Sequence, residues 1–201
     1  MNSIILMGIK HCGKSTQARL LSKHFNASFF DTDDIITRQT EKTPREIYTL
    51  YGKEAFLKAE TNACLFLQEQ LKLQSPSGKN SVKAVAATGG GICTNPKAIQ
   101  ILKETGILIF LNSDESTALN RILRESSRDS SGNFQNLPAY IAKENPKNVQ
   151  DVISIFHNFY EERQKLYEEI CSLKIDLQPL SKEENSKLII KKLEQSGLLA
   201  E

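Results

Sequence analysis

The sequence predicts an α/β fold, a parallel sheet of about five strands with helices on both faces. Three observations predict it. A short apolar run, Ile4-Ile5-Leu6-Met7, leads into a glycine-containing turn, and a helical pattern of Ala18, Leu21 and Phe25 follows. Strand-length apolar runs then alternate with helix-period stripes along the chain. One of those runs, 82–87, is nearly all apolar, as a strand buried on both faces is.

The turn reads Gly8-Ile9-Lys10-His11-Cys12-Gly13-Lys14-Ser15-Thr16. It fits G-x-x-x-x-G-K-[ST], the phosphate-binding loop, and it stands between a strand and a helix, as that motif requires. Gly8 and Gly13 let backbone N–H groups turn inward on phosphate oxygens. Lys14 reaches the β and γ oxygens, and the Ser15 hydroxyl ligates Mg²⁺. Ser15-Thr16 opens a helix whose N-terminal dipole favours anions. His11 and Cys12 contribute backbone N–H groups.

Composition sets bounds. A chain of 201 residues suits one domain, 1–201. Lys+Arg of 26 against Asp+Glu of 24 leaves almost no net charge, which argues against a nucleic-acid or membrane-surface partner. Cys12, Cys64, Cys93 and Cys171 are scattered, so neither zinc site nor disulfide framework is expected, and reduced thiols fit the cytoplasm. The apolar runs are too short to cross a bilayer, and no signal peptide is expected.

The second strand, 27–31, ends in Phe29-Phe30-Asp31-Thr32-Asp33-Asp34. Carboxylates at a strand's C-terminal end lie where α/β sheets hold ligands. Beside a phosphate loop, one suits the Mg²⁺ shell and another a substrate hydroxyl, although Asp31 or Thr32 also suits as the cap of a helix over 33–40. Thr43-Pro44-Arg45-Glu46 is a capping box that opens a helix ending at Gly52. A longer helix then runs from Lys53, with a stripe of Phe56, Ala59, Ala63, Phe66 or Leu67, and Leu71. A polar turn spans 75–80.

The third strand runs into Thr88-Gly89-Gly90-Gly91, a backbone suited to close approach to a ligand. Asn95-Pro96 starts a helix, 107–111 is the fourth strand, and Ser113 caps the next helix. The polar segment 126–148 is long for a compact domain and reads as a lid. A helix over 149–170 carries Arg163 on its buried stripe, where it is a structural ion pair or a clamp for an anionic ligand. The fifth strand is 173–177, and Ser181-x-x-Glu184 caps a last helix.

These blocks together resemble shikimate kinases, small P-loop enzymes of the nucleoside-monophosphate-kinase type. The resemblance runs from residue 1 to about 177. It rests on the phosphate loop, on Phe29, Asp31 and Asp33 as F-x-D-x-D, and on Thr88 to Gly91 as T-G-G-G. Gly52-x-x-x-Phe56 with Glu60, and Arg163-x-x-Leu166-Tyr167 as R-x-x-L-Y, complete it. It implies a P-loop kinase three-layer sandwich with a substrate-binding helical part over about 32–75 and a mobile lid over about 126–148. It implies ATP and Mg²⁺, a small hydroxy acid as substrate, a monomer, and phosphorylation of the shikimate 3-hydroxyl in aromatic amino acid biosynthesis.

Roles follow from the same resemblance. Ser15 would hold Mg²⁺, with Asp31 in its water shell. Asp33 would bind substrate hydroxyls and assist deprotonation of the attacking one. Gly90 and Gly91 would line the substrate and Arg163 would pair with its carboxylate. Arg121 would lie near the adenine, and Arg128 would approach the transferring phosphate. Two departures stand out. Leu57 occupies the place of a family arginine that grips the carboxylate; Lys58 next to it is the substrate-binding candidate there, turned by roughly 100° but with a long stem. The lid reads Arg128-Asp129-Ser130-Ser131 in place of R-P-L-L. Two alternatives stay open: a same-fold kinase for another hydroxy acid such as gluconate, and a nucleotide-binding regulator without phosphotransfer.

Overall fold

The computed structural model describes residues 3–73, 82–130 and 132–199. Five strands form one parallel sheet: β1 (Ser3–Met7), β2 (Ser28–Asp31), β3 (Ala84–Ala87), β4 (Ile107–Asn112) and, numbered by its place in the chain, β7 (Leu173–Asp176). Their order is β2-β3-β1-β4-β7. Every residue of β1 and β3 is buried, so both sheet faces are covered there. The third strand is shorter than 82–87, since pairing starts at Ala84 opposite Ser3 and Ser28.

The order reverses at β1. The chain goes out to β2, returns to β3, and then crosses to β4 on the other side. Parallel sheets open a ligand crevice at such a point, outside the carboxyl ends of the strands. The phosphate loop follows β1 there, and Asp31, Thr88 and Asn112 end or follow β2, β3 and β4 along the same edge.

The helices are α1 (Lys14–His24), α2 (Thr32–Thr40), α3 (Pro44–Leu73), α4 (Pro96–Thr105), α5 (Glu115–Glu125), α7 (Val149–Ile170) and α8 (Lys182–Ser196), with the short α6 (Ala139–Ala142). Gly52, at φ 81°, breaks α3 into two stretches as its position after Tyr51 predicts. In the long stretch Leu67 is buried and Phe66 lies outside, which resolves the ambiguous stripe position. Capping boxes at Asn148 and Ser181 fix the starts of α7 and α8. Asp114, not Ser113, caps α5 by accepting from the Thr117 N–H. Ser113 is buried instead, and its carbonyl takes the Tyr160 hydroxyl at 3.0 Å.

The segment 126–148 is not featureless. Strands β5 (Ser127–Arg128) and β6 (Phe134–Gln135) pair as a small antiparallel hairpin, and α6 follows. Tyr140 of α6 stacks on Phe159 of α7 with ring centroids 3.6 Å apart, which joins the segment to the body. The polar turn read at 75–80 and Ser131 lie outside the described residues. Among the described residues no helix is long and apolar enough to cross a membrane.

Candidate active site

The phosphate loop is built as its motif requires. Gly13 takes φ 94° and α1 begins at Lys14. The Lys14 side chain is buried and its Nζ donates to the Ile9 carbonyl of the same loop at 2.9 Å. Cys12 is buried, with Sγ 3.8 Å from that ammonium. His11 sits at φ 66°, unusual for a residue with a side chain. Its Nδ1 lies 3.2 Å from Glu125 Oε1 at the end of α5, and burial lowers the imidazole pKa below its ordinary value. Arg121 of α5 donates to the His11 carbonyl at 2.5 Å, so it stands at the rim of this loop.

Across the loop, Ser15 Oγ donates to Asp31 Oδ2 at 2.6 Å. Asp31 also caps α2, accepting from the Asp33 N–H at 3.0 Å. The capping and metal-shell readings of Asp31 are therefore compatible, because its two oxygens are divided between them. A hydroxyl and a carboxylate in contact beside a phosphate loop suit Mg²⁺, which takes few protein oxygens and completes its shell with water and phosphate.

Asp33 points toward the glycine triplet. A Cβ placed on Gly89 would lie 2.9 Å from Asp33 Oδ1 and 3.4 Å from Glu60 Oε1, so only glycine leaves the carboxylates room. A Cβ on Gly90 would lie 2.6 Å from the Lys10 backbone nitrogen. Gly91 meets nothing within 4 Å. Within the chain itself, close approach therefore belongs to Gly89 and Gly90, and Gly91 is left open. The Gly89 N–H donates to Thr32 Oγ1 at 3.1 Å, and the Tyr167 hydroxyl lies 3.0 Å from the Gly8 carbonyl and 3.1 Å from that of Gly90. Burial, followed by the charge of Asp31, raises the Asp33 pKa.

Glu60 occupies α3 at 1% exposure. Asn95 Nδ2 donates to its Oε2 at 3.0 Å, while Oε1 is buried without a hydrogen-bond partner among the described residues. Burial pushes its pKa up to about 7. Arg163 lies opposite on α7. Its Nη1 donates to Cys93 Sγ at 3.0 Å and approaches the Gly91 carbonyl at 3.4 Å, and its guanidinium lies 4.8 Å from the Phe159 ring centroid. Its Nε is likewise buried without a partner. Glu60 and Arg163 feel each other's charge yet share no hydrogen bond.

Two candidates are not brought to this cluster. Lys58 lines a separate cavity of about 310 Å³ between α2 and α3, with Thr40, Lys42, Ile47 and Tyr51. It is two helical steps from Glu60, roughly 200° around the axis, so the two side chains leave α3 on different faces. Arg128 is exposed within its own hairpin, where Nη1 donates to the Gly132 carbonyl at 2.6 Å and the guanidinium lies over Phe134. Glu60, Asn95 and Cys93 are missing from the sequence-derived candidates. The signal for Glu60 was present, since 56, 60, 63, 67 and 71 form one helical face and a lone carboxylate interrupts its apolar run.

Glu60 makes folding stability depend on pH. The unfolded side chain loses its proton near 4.5 and the folded one near 7, so the fold binds the extra proton between them. Stability is therefore expected to fall as pH rises from about 4 to about 8 and then level off, by roughly 3 kcal/mol. Urea unfolding at both ends of that range checks it. The Glu60→Gln chain should lose most of the difference, and an equal pH slope in both chains would remove Glu60 as its source.

The comparisons with known proteins agree with this geometry. The profile of the family described as shikimate kinase matches residues 10–194. A shikimate kinase of Macrococcus caseolyticus is 28% identical over 170 residues, covering 77% of this chain and 94% of that protein. Among solved structures, a shikimate kinase of Acinetobacter baumannii in complex with shikimate superposes with a TM-score of 0.76 at 23% identity, covering 98% of this chain and 96% of the other. The shikimate kinase of Aquifex aeolicus gives 0.67 at 26% identity, with 98% of both chains covered. With its phosphate loop, paired aspartates and glycine triplet gathered at one sheet edge, the chain belongs to the shikimate kinase family.

Proposed function

We infer that the site transfers the γ-phosphoryl group of ATP to the 3-hydroxyl of shikimate, giving shikimate 3-phosphate and ADP in aromatic amino acid biosynthesis. The observation that carries the substrate class is the pair of buried, unpartnered polar atoms. Glu60 Oε1 is an acceptor and Arg163 Nε is a donor, close enough to feel each other's charge. Leaving such atoms unpaired costs on the order of 1–3 kcal/mol each, which a ligand offering both a hydroxyl and a carboxylate would recover. A small hydroxy acid offers both.

Each residue has a chemical task in this reading. Lys14 leaves the Ile9 carbonyl for the β and γ oxygens, and the loop N–H groups from Gly8 to Thr16 cradle the phosphates. Ser15 and Asp31 hold Mg²⁺, which neutralises phosphate charge when bound. Asp33 accepts the proton of the attacking hydroxyl, and its raised pKa makes it a stronger base than an exposed aspartate. Gly90 and Gly91 line the acceptor, and Arg163 pairs with its carboxylate. Arg121 stands on the adenine side. Arg128 reaches the phosphates through movement of 126–148 as a lid. The enzyme acts as a cytoplasmic monomer of one domain with a substrate part over 32–75.

Leu57 supplies the test. Its side chain adds no cation, so Arg163 grips the carboxylate unaided by the residue the family places there. Leu57→Arg is expected to lower the KM for shikimate by about one to two powers of ten, the worth of one charge-assisted hydrogen bond. Lys58→Ala should leave it unmoved, since Lys58 lines the other cavity. Steady-state ADP release over a panel including shikimate and gluconate reads both. If wild type turns over gluconate and ignores shikimate, and Leu57→Arg does the same, the shikimate reading fails and the kinase reading stands.

A further inference from the structure

The phosphate loop carries two lysines with different surroundings. Lys14 is buried and bonded within the loop. Lys10 is exposed, and among the described residues its ammonium makes neither ion pair nor hydrogen bond. Yet its backbone is among the most tightly placed in the site. A Cβ on Gly90 would lie 2.6 Å from Lys10 N, 3.0 Å from its Cα and 3.1 Å from its Cβ. The Tyr167 hydroxyl reaches both the Gly8 and the Gly90 carbonyls, so the loops on either side of Lys10 are held in register. The side chain therefore starts from a fixed point between the nucleotide loop and the acceptor loop.

Its charge has a direction as well. Lys10 acts on Asp33 and on His11, one on the acceptor side and one within the phosphate loop. The charges acting on Glu60 come instead from Asp33 and Arg163. Lys10 is thus rooted beside Gly90 with its charge felt at Asp33, while Arg163 is felt at Glu60. Arg128, by contrast, is bonded inside its own hairpin.

We propose that Lys10 is a catalytic cation that donates a hydrogen bond to a non-bridging oxygen of the phosphoryl group as it passes to the acceptor hydroxyl. This rests on the kinase reading above. In the step, the bond from the γ-phosphorus to the ADP oxygen breaks and the bond to the acceptor oxygen forms. The hydroxyl proton goes to Asp33, and Lys10 keeps its own proton throughout. Charge spread over the equatorial oxygens is what such a group stabilises. Unlike a lid residue, Lys10 has its backbone beside the glycine triplet without closure of any segment.

The test is single-turnover phosphoryl transfer and steady-state kinetics for wild type, Lys10→Met and Lys10→Arg, with ATP and shikimate, and thermal unfolding of each. Lys10→Met is expected to slow the transfer step about ten- to a hundred-fold, the worth of one hydrogen bond to a charged group, with little change in the shikimate KM. Lys10→Arg should recover most of the rate, and all three should melt alike, because the stem is exposed. An unchanged transfer rate in Lys10→Met overturns the proposal. So does a raised shikimate KM at constant rate, which would make Lys10 a carboxylate clamp. Wild type that leaves shikimate untouched defeats the substrate reading instead, and the same variants are then measured with the acceptor it does phosphorylate.

Discussion

Lys14→Met is expected to abolish turnover, with kcat lowered by more than about 10³-fold, while the fold persists. The scale is that of removing a cation that neutralises charge in phosphoryl transfer. The structure explains why no neighbour substitutes. Lys14 is buried inside the curl of the loop, whereas Lys10 is exposed and rooted beside Gly90, and Arg121 is engaged with the His11 carbonyl at the rim. The fold should lose the charge-assisted hydrogen bond to the Ile9 carbonyl and the longer contact with Cys12 Sγ, a loss of roughly 1.5–3 kcal/mol. Activity and thermal unfolding measured on the same sample separate the two effects. A variant that melts like wild type and keeps its kcat would remove Lys14 from the chemistry.

Asp33→Asn should be nearly as severe, lowering kcat by about 10²–10⁴-fold, the range for loss of a positioned general base. Asparagine keeps the shape that Gly89 accommodates and keeps a hydrogen bond to the acceptor, so KM should move much less than kcat. Burial and Asp31 raise the pKa of Asp33, so the base is lost by protonation at a higher pH than for an exposed aspartate. The acid limb of kcat/KM is therefore expected at higher pH than an exposed aspartate would give in wild type, and absent in Asp33→Asn. A limb that survives the substitution would assign it to another group. In each case the control is Cys12→Ala, where the nucleotide loop loses only a buried thiol.

What was legible in the sequence follows from how local each signal is. The phosphate loop, the Gly52 break and the α8 capping box are encoded within a few residues, and the structure places them as read. The five strands could be found because buried parallel strands are short apolar runs, although Lys83 inside one such run falls before the pairing begins. The site was legible in its parts rather than in its contacts. Asp33 lies beside Gly89, and Arg163 beside Gly91 and Cys93. Adjacent positions on a helix face different ways, so only the tertiary fold shows which cavity Lys58 lines. The hairpin around Arg128 also went unread, since its strands are two residues long and carry no period. Asn95 and Cys93 depend on contacts across 35 to 70 positions of chain, for which no local pattern exists; Glu60 did carry a local signal, as a lone carboxylate on an apolar helical face.

The Tyr167 hydroxyl sits between the carbonyls of Gly8 and Gly90 and belongs to neither loop. Its ring is stacked on Phe110 at a centroid distance of 4.9 Å and is wholly buried. The spacing of the phosphate loop and the glycine triplet is then gauged by a rigid aromatic spacer rooted in the core. Either loop can change its outer residues without altering that gauge. His11 at a left-handed position is the kind of local change such a chassis tolerates. Variation at the rim and constancy of the spacing between the two loops are thereby separable, with the calliper kept in α7.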